Sequence, residues 1–193
     1  MDVWFTSDLH LGHQSVARLR GQEVDEHDRR VLRGIRELPA GDRLWVLGDL
    51  SRGGAEEERR ALSLLKEHGA HLEMHLVPGN HDSCHPIHRS SSRMQRVFLE
   101  VFESVQAFQA LRWRGRRVHL CHFPRPGMDH AGMASRHDEV RLDVDHLVHG
   151  HLHSPQPRTG YGLVDVGLDA WGMRPVRQLA VEKVLFDNEP QGM

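Results

Sequence analysis

The strongest structural signal in the sequence is the stretch Val3-Trp4-Phe5-Thr6-Ser7-Asp8-Leu9-His10. Its apolar opening predicts a buried strand at residues 3–7, and an aspartate and a histidine follow that strand directly. Residues i and i+2 of an extended segment point the same way, so Asp8 and His10 can face one place. The stretch therefore predicts a strand that carries two polar side chains to its end.

Two further apolar runs, at residues 43–47 and 72–77, have the same character and also end at polar or glycine-containing sequence. Residues 24–38 have apolar positions at helical spacing. Residues 55–68 begin with three glutamates and end with basic residues before Gly69, which is typical of a helix. The alternation of strand and helix predicts βαβ units and an α/β core in the first half.

Beyond Asn80 the pattern changes. Residues 91–102 are predicted to be helical, and residues 105–113 and 116–121 flank Arg114-Gly115 as a β-hairpin. Residues 146–149, 163–166 and 178–186 are three further predicted strands. The second half is therefore expected to form a second sheet that packs against the first.

Composition limits the class of protein. A chain of 193 residues with 38% hydrophobic and 27% charged residues is typical of one globular domain, so residues 1–193 are interpreted as a single domain with a frayed tail at 188–193. No apolar run approaches the roughly 18 residues that span a bilayer, and no secretory signal is apparent, so we expect a cytoplasmic protein without membrane contact. The sequence does not determine the oligomeric state.

The formal net charge of −2 does not favour broad binding of nucleic acid through its phosphates. A small anionic substrate needs only local positive charge. The two cysteines, Cys84 and Cys121, fit neither a disulfide framework nor a Cys-x-x-Cys site. Any special chemistry must therefore come from other side chains, and histidine, with 17 copies, is the abundant candidate.

Residues suited to metal binding fall in five short clusters at the ends of the predicted strands. Together they offer carboxylate, imidazole and amide groups without a thiolate, which favours Mn²⁺, iron, Zn²⁺ or Ni²⁺ over a structural zinc site. We expect two divalent metal ions, with manganese first. The predicted ligands are Asp8, His10, Asp49, Asn80, His122, His151 and His153.

Two metals about 3.5–4 Å apart suit displacement at phosphorus, because together they activate a bridging water and neutralise the phosphoryl oxygens. Asp49, after Gly48 at the end of an apolar run, is predicted to bridge the two ions. The leaving alkoxide needs a proton, and His81, beside Asn80, is the predicted general acid, with Asp82 orienting it. These residues predict a metal-dependent phosphoesterase.

Two more side chains are candidates for contact with the substrate phosphate. His13 and Arg52 each follow a predicted ligand by three residues, and a guanidinium can hold two phosphate oxygens at once. A solvated side chain is the alternative interpretation of each.

In that order, the clusters Asp8-x-His10, Gly48-Asp49, Gly79-Asn80-His81-Asp82, His122 and Gly150-His151-x-His153 resemble the signature of the calcineurin-like metallophosphoesterase superfamily. The resemblance implies a four-layer α/β/β/α sandwich with two mixed β-sheets flanked by helices. It implies one metal on Asp8, His10, Asp49 and His153, and a second on Asp49, Asn80, His122 and His151. It also implies that His81 protonates the leaving group.

The sequences at residues 4–13, 121–124 and 166–171 are similar to small phage and bacterial metallophosphoesterases, some of which are phosphodiesterases of cyclic nucleotides. We therefore expect a phosphodiesterase on small nucleotide-like substrates, with 2′,3′-cyclic nucleotides as candidates and attack by a metal-bridging hydroxide. A large nucleic-acid partner is not expected. A phosphomonoesterase of broad specificity and a non-catalytic interaction module on the same fold are the alternatives.

Overall fold

The computed structural model describes residues 1–187 and contains two five-stranded sheets with helices. The predicted tail at 188–193 lies outside the described residues. The helices are α1 (Gln14–Leu19), α2 (Val24–Arg36), α3 (Ala55–Gly69), α4 (Ser91–Phe98) and α5 (Gln178–Phe186). None of these is long and apolar enough to cross a membrane within the described part of the chain.

The first sheet has the order β10-β1-β2-β3-β4. Strands β1 to β4 run parallel, and β10 pairs antiparallel with β1 at one edge. Apolar side chains of α2, α3 and α4 pack with this sheet in one buried cluster, in which Ile35, Leu65 and Leu76 are fully buried. The strands are β1 (Val3–Thr6), β2 (Arg43–Val46), β3 (Glu73–Leu76), β4 (Ser104–Val105) and β10 (Val176–Arg177).

The second sheet has the order β5-β6-β7-β9-β8. A second buried cluster joins the two sheets face to face, with Phe5 and Trp45 on one side and Val118, Val148 and Val164 on the other. The mixed sheets with flanking helices confirm the predicted α/β class. The strands are β5 (Gln109–Trp113), β6 (Arg116–Leu120), β7 (Leu147–His149), β8 (Arg158–Gly160) and β9 (Leu163–Asp165).

The predicted hairpin around Arg114-Gly115 is confirmed, but its first strand is shorter than expected. Ser104–Val105 pairs with β3 in the first sheet, and Gln109 starts the second sheet at β5. The backbone N–H of Gln106 still donates to the carbonyl of Leu76, 3.1 Å away. The chain therefore crosses from one sheet to the other within the predicted strand at 105–113.

The strand predicted at 178–186 is wrong, because residues 178–186 form helix α5. Val181 and Leu185 are buried four residues apart, while Leu179 is exposed, which is helical periodicity. The side chain of Gln178 also donates to Glu182 one turn later, 2.7 Å away. Because the segment is rich in β-branched and apolar residues, its sequence pattern resembles that of a strand and does not reveal the helical face.

Candidate metal centre

The predicted site residues lie where strands end. Asp8 and His10 follow β1, Asp49 follows β2, and Asn80 and His81 follow β3, while the remaining histidines follow β6 and β7 of the second sheet. All of these strands are parallel to a neighbour in their own sheet. Ends of parallel strands meet at one edge, which is where ligands bind in α/β folds.

The backbone at this edge is unusual. Eight non-glycine residues of the described chain have a positive φ, and five of them are predicted ligands. Such a conformation costs roughly 1–3 kcal/mol for each residue and persists where the surrounding structure enforces it. The strain is therefore concentrated where the ligands are. These five are Asp8 (φ 58°), His10 (45°), Asp49 (56°), His151 (72°) and His153 (49°).

Glycines next to the ligands let neighbouring loops approach closely. A Cβ at Gly79 would lie 2.2 Å from Oδ1 of Asp49, and a Cβ at Gly150 would lie 2.6 Å from Oδ2 of Asp8. Both distances are shorter than the 3.0 Å below which Cβ contacts essentially never occur. Because these two glycines have no side chain, there is room for the carboxylates of Asp49 and Asp8.

The first group of ligand atoms comes from Asp8, His10 and His153, which bring one atom each within 4.8 Å of one another. The Nε2 atoms of the two histidines are 3.2 Å apart. Their Nδ1 atoms face acceptors instead: that of His10 lies 3.2 Å from the carbonyl of Ser51, and that of His153 lies 2.9 Å from Oδ2 of Asp169. Each Nδ1 therefore carries the proton and donates it outward.

The second group is built around Asp49. Its Oδ2 lies 3.6 Å from Nε2 of His122 and 3.8 Å from Nε2 of His10, so one carboxylate oxygen stands between the two groups. Nδ1 of His122 donates to the carbonyl of Leu47, 2.7 Å away, and its Nε2 lies 3.2 Å from Oδ1 of Asn80. This geometry suits Asp49 as the bridging ligand.

The arrangement fits divalent cations. In each group an Nε2 atom faces another electron-pair donor at 3.2 Å, and a cation between the two atoms would be bound by both. Burial lowers the pKa of His10 and His122, so both rings are neutral, as metal ligands must be. Burial and the nearby Asp8 raise the pKa of Asp49 to about 7, a cost that a bound cation removes.

His151 stands beside this second group. Its backbone N–H donates to Oδ2 of Asp8 at 3.0 Å, and its ring centre is 5.2 Å from that of His122. Its Nε2 faces a different carboxylate. That atom lies 3.3 Å from Oδ1 of Asp129.

His81 occupies the mouth of the site and is 39% exposed at its side chain. Its Nδ1 donates to the carbonyl of Arg52 at 3.0 Å, and its Nε2 lies 4.0 Å from Oδ2 of Asp49. The ring is therefore held by the backbone with its other nitrogen directed at the centre. This placement suits the predicted proton donor.

The predicted role of Asp82 in orienting His81 does not match its contacts. Asp82 is fully buried and accepts backbone N–H groups of Gly79 (2.7 Å), Asp49 (2.8 Å) and Leu50 (3.1 Å). Burial and the Asp49 carboxylate raise its pKa to about 7. Asp82 therefore links the loop that carries Asp49 to the loop that carries Asn80. The backbone carbonyl of Arg52 orients His81.

The two predicted phosphate contacts differ. The His13 ring lies 5.3 Å from that of His10 and 6.5 Å from that of His81, at the same mouth. The guanidinium of Arg52 instead pairs with Glu57, to which its Nε donates at 2.8 Å. The structure therefore leaves His13 available to a substrate and directs Arg52 to the first turn of α3.

Sequence reasoning missed four residues around the centre. Asp169 accepts from His153 and receives two bonds from Arg20, at 2.9 and 2.7 Å. Asp129 and His130 lie beside His151 and His153, with the His130 ring 4.9 Å from the His151 ring. Asp169 lies in a segment already noted for its similarity to small metallophosphoesterases, whereas the sequence around Arg20 carries no such signal.

The family model described as the calcineurin-like phosphoesterase superfamily domain matches residues 1–167. The chain belongs to this superfamily. It is 32% identical over 207 residues to the gene 66 protein of Mycobacterium phage L5, covering all of this chain and 98% of that protein. It is 36% identical over 182 residues to the gene 66 protein of Mycobacterium phage D29, covering 88% and 89% respectively.

A solved structure of a protein of unknown function from Aquifex aeolicus has a similar fold, with a TM-score of 0.68 at 20% identity. The match covers 95% of this chain and 98% of that one. Superfamily membership supports metal-dependent hydrolysis of phosphate esters at a dinuclear divalent metal centre, and the histidine and aspartate groups described above match that requirement.

Proposed function

We propose that this protein is a phosphodiesterase that hydrolyses small nucleotide-like substrates, with 2′,3′-cyclic nucleotides as the first candidates. The observation that carries the hydrolytic chemistry is the pair of facing Nε2 atoms of His10 and His153, 3.2 Å apart, beside the Asp49 carboxylate. A site of this kind favours the binding of cations. Two divalent cations held there, with manganese expected first, would activate water and neutralise a phosphoryl oxygen.

Individual residues of this chain would hold the cations, donate the proton and contact the substrate. Asp8, His10, Asp49 and His153 would hold one cation, and Asp49, Asn80, His122 and His151 the other. His81 gives a proton from Nε2 to the leaving oxygen, because its Nδ1 is already committed to the Arg52 carbonyl. His13 stands at the same mouth and contacts the phosphoryl group.

The charge around the site supports a diester over a monoester. Three arginines next to the centre are each paired with a carboxylate: Arg20 with Asp169, Arg52 with Glu57, and Arg141 with Asp129. A monoester dianion brings an additional charge, and a guanidinium that is free to hold two phosphate oxygens is well suited to neutralise it. Imidazoles at the mouth suit the single charge of a diester.

A substrate panel tests the proposal. Protein first stripped of metal is assayed with Mn²⁺, Ni²⁺, Zn²⁺ or Fe²⁺ on a chromogenic phosphodiester, the matching monoester, and 2′,3′-cyclic and 3′,5′-cyclic nucleotides. We expect a higher kcat/KM for the diester and for the 2′,3′-cyclic nucleotides. A clear preference for the monoester would instead assign a phosphomonoesterase, and no hydrolysis with any metal would favour an interaction module.

A further inference from the structure

A buried carboxylate on the segment at residues 124–141 reaches one of the predicted metal ligands. The Asp129 side chain has no exposed surface, although the segment that carries it has no helix or strand beyond the single turn at Asp138–Val140. Its Oδ1 lies 3.3 Å from Nε2 of His151 and 2.8 Å from Nδ1 of His130. The centre thus receives a contact from outside the five sequence clusters.

The position of this carboxylate is fixed by an arginine that is itself buried. Arg141 donates to Oδ2 of Asp129 at 3.1 Å and has no exposed side-chain surface. The Arg141 guanidinium is held in turn by the carbonyls of Met128 and Arg136, at 2.5 and 2.9 Å. A buried ion pair with this many hydrogen bonds holds one geometry.

Asp129, His130 and His151 bring one ligand atom each within 4.8 Å of one another, but the charges around Asp129 make it unsuited to be a metal ligand. The guanidinium of Arg141 and that of Arg136, whose Nη2 lies 3.6 Å from Oδ1, already supply positive charge to it. A third cation beside two arginines would be repelled. The carboxylate is therefore available to act on His151.

The contact determines which nitrogen of His151 is free. An ionised carboxylate only accepts hydrogen bonds, so Nε2 of His151 carries the proton and Nδ1 keeps its lone pair. His10, His122 and His153 are the reverse, because each donates from Nδ1. His153 has a matching arrangement on its other side, since its Nδ1 donates to Asp169, which Arg20 holds.

We propose that Asp129 is a positioning residue of the metal centre, which engages Nε2 of His151 and leaves Nδ1 as the nitrogen available to the second cation position, formed with Asp49, Asn80 and His122. The segment at 124–141 thereby affects how tightly a cation binds at that position. Removing such a carboxylate partner typically weakens metal binding 10- to 100-fold.

The test measures metal and not turnover, so its result does not depend on which phosphate ester is the substrate. Binding of Mn²⁺ to the metal-stripped protein is followed by titration calorimetry, and spin coupling between the two ions by electron paramagnetic resonance. In Asp129→Ala we expect the first ion to bind as in the wild type, the second to bind about 10- to 100-fold more weakly, and the coupled signal to disappear at Mn²⁺ concentrations that saturate the wild type.

Two comparisons separate positioning from a general loosening of the segment. Asp138→Asn also removes a carboxylate that contacts Arg141, at 3.3 Å, but does not touch His151, so it should keep both affinities within about twofold. In a His151→Ala background, adding Asp129→Ala should change the second affinity less than about twofold. Unchanged binding in Asp129→Ala, an equal loss in Asp138→Asn, or a full additional loss in the double variant would overturn the proposal.

Discussion

The chemistry of this centre depends on which nitrogen of each histidine carries its proton. Backbone carbonyls of Leu47 and Ser51 accept from Nδ1 of His122 and His10, and Asp169 accepts from Nδ1 of His153. The three Nε2 atoms thereby point inward before any cation binds. The two carbonyls and the Asp169 carboxylate lie on the outer side of the rings, so they orient the histidines without occupying space in the site.

His81 is expected to affect the departure of the leaving group more than metal binding. In His81→Ala, turnover of substrates with poor leaving groups should fall by about 10²- to 10⁴-fold, because their alkoxides need the proton most. Activated aryl esters should lose far less. The measurement is the slope of log kcat/KM against leaving-group pKa, together with bound metal, which should stay at the wild-type level.

His13→Ala is the matched control for His81, since the His13 ring lies at the same mouth, 5.3 Å from His10. It should raise KM and leave the leaving-group slope unchanged. A slope in His81→Ala equal to that of the wild type would remove the proton-donor role.

The loops after the strands are shaped by glycine as much as by their ligands. In Gly79→Ala the new Cβ would meet Oδ1 of Asp49 at 2.2 Å and its backbone nitrogen at 2.8 Å, so the bridging carboxylate has to move. We expect loss of bound metal and a fall in activity of at least about 10²-fold, since small displacements at a reacting centre have effects of this size.

Gly115→Ala is the control for that substitution. Gly115 has φ +79° and no atom within 4 Å of the added Cβ, so the change costs roughly 1–2 kcal/mol of stability without touching the centre. Metal content measured by elemental analysis should stay normal in Gly115→Ala. Normal metal content in Gly79→Ala would show that the close approach is not needed.

Helix α5 should contribute to stability through one face. Leu185 is 1% exposed and packs in the cluster between the sheets, so Leu185→Ala should lower the free energy of unfolding by about 2–5 kcal/mol. Leu179 is 71% exposed, and Leu179→Ala should change it by less than about 0.5 kcal/mol. Urea denaturation measures both, and equal effects would contradict the helical assignment.

The sequence predicted most elements but not all. Residues 3–7, 43–47 and 72–77 combine high apolar content with polar ends, so their strands were identifiable. Residues 178–186 were misread because a short apolar segment has no clear period, and its helical face is defined by packing between the sheets. The sequence identifies the ligand clusters because they follow predicted strands, whose ends meet at one edge of a sheet. It does not identify Arg20 and Asp129. Arg20 contacts Asp169 across 149 residues and Asp129 contacts His151 across 22 residues, and no local pattern encodes such contacts.

For the whole molecule, the buried carboxyls predict an unusual dependence of stability on pH in the metal-free state. Burial is the main cause that raises the pKa of Asp49 and Asp82 to about 7 and that of Asp165 to about 8. Aspartates of the unfolded chain are already ionised at these pH values, so each of these carboxyls makes the free energy of unfolding fall as pH rises through its pKa in the folded chain. Histidines with lowered pKa values act in the opposite sense up to about pH 7.5, because their imidazoles in the unfolded chain, with a pKa of about 6.5, still bind protons there.

Urea denaturation of chelator-treated protein at several pH values between about 7.5 and 9, above the range in which unfolded histidines bind protons, checks this sign. We expect a loss of roughly 1 kcal/mol attributable to Asp165 across this window, and a flatter profile in Asp165→Asn. Added Mn²⁺ should reverse the trend, because it binds the ionised Asp49. Stability that rises over this window without metal would contradict the account.

The most direct measurement of the account is the metal content of Asp49→Ala beside that of the wild type, with hydrolysis of a chromogenic phosphodiester assayed on the same samples. One oxygen of Asp49 stands between His10 and His122, at 3.8 and 3.6 Å. The wild type should hold two divalent ions per chain, and Asp49→Ala should lose ions and hydrolysis together. Two tightly bound ions in Asp49→Ala, or full wild-type hydrolysis after complete removal of metal, would contradict it.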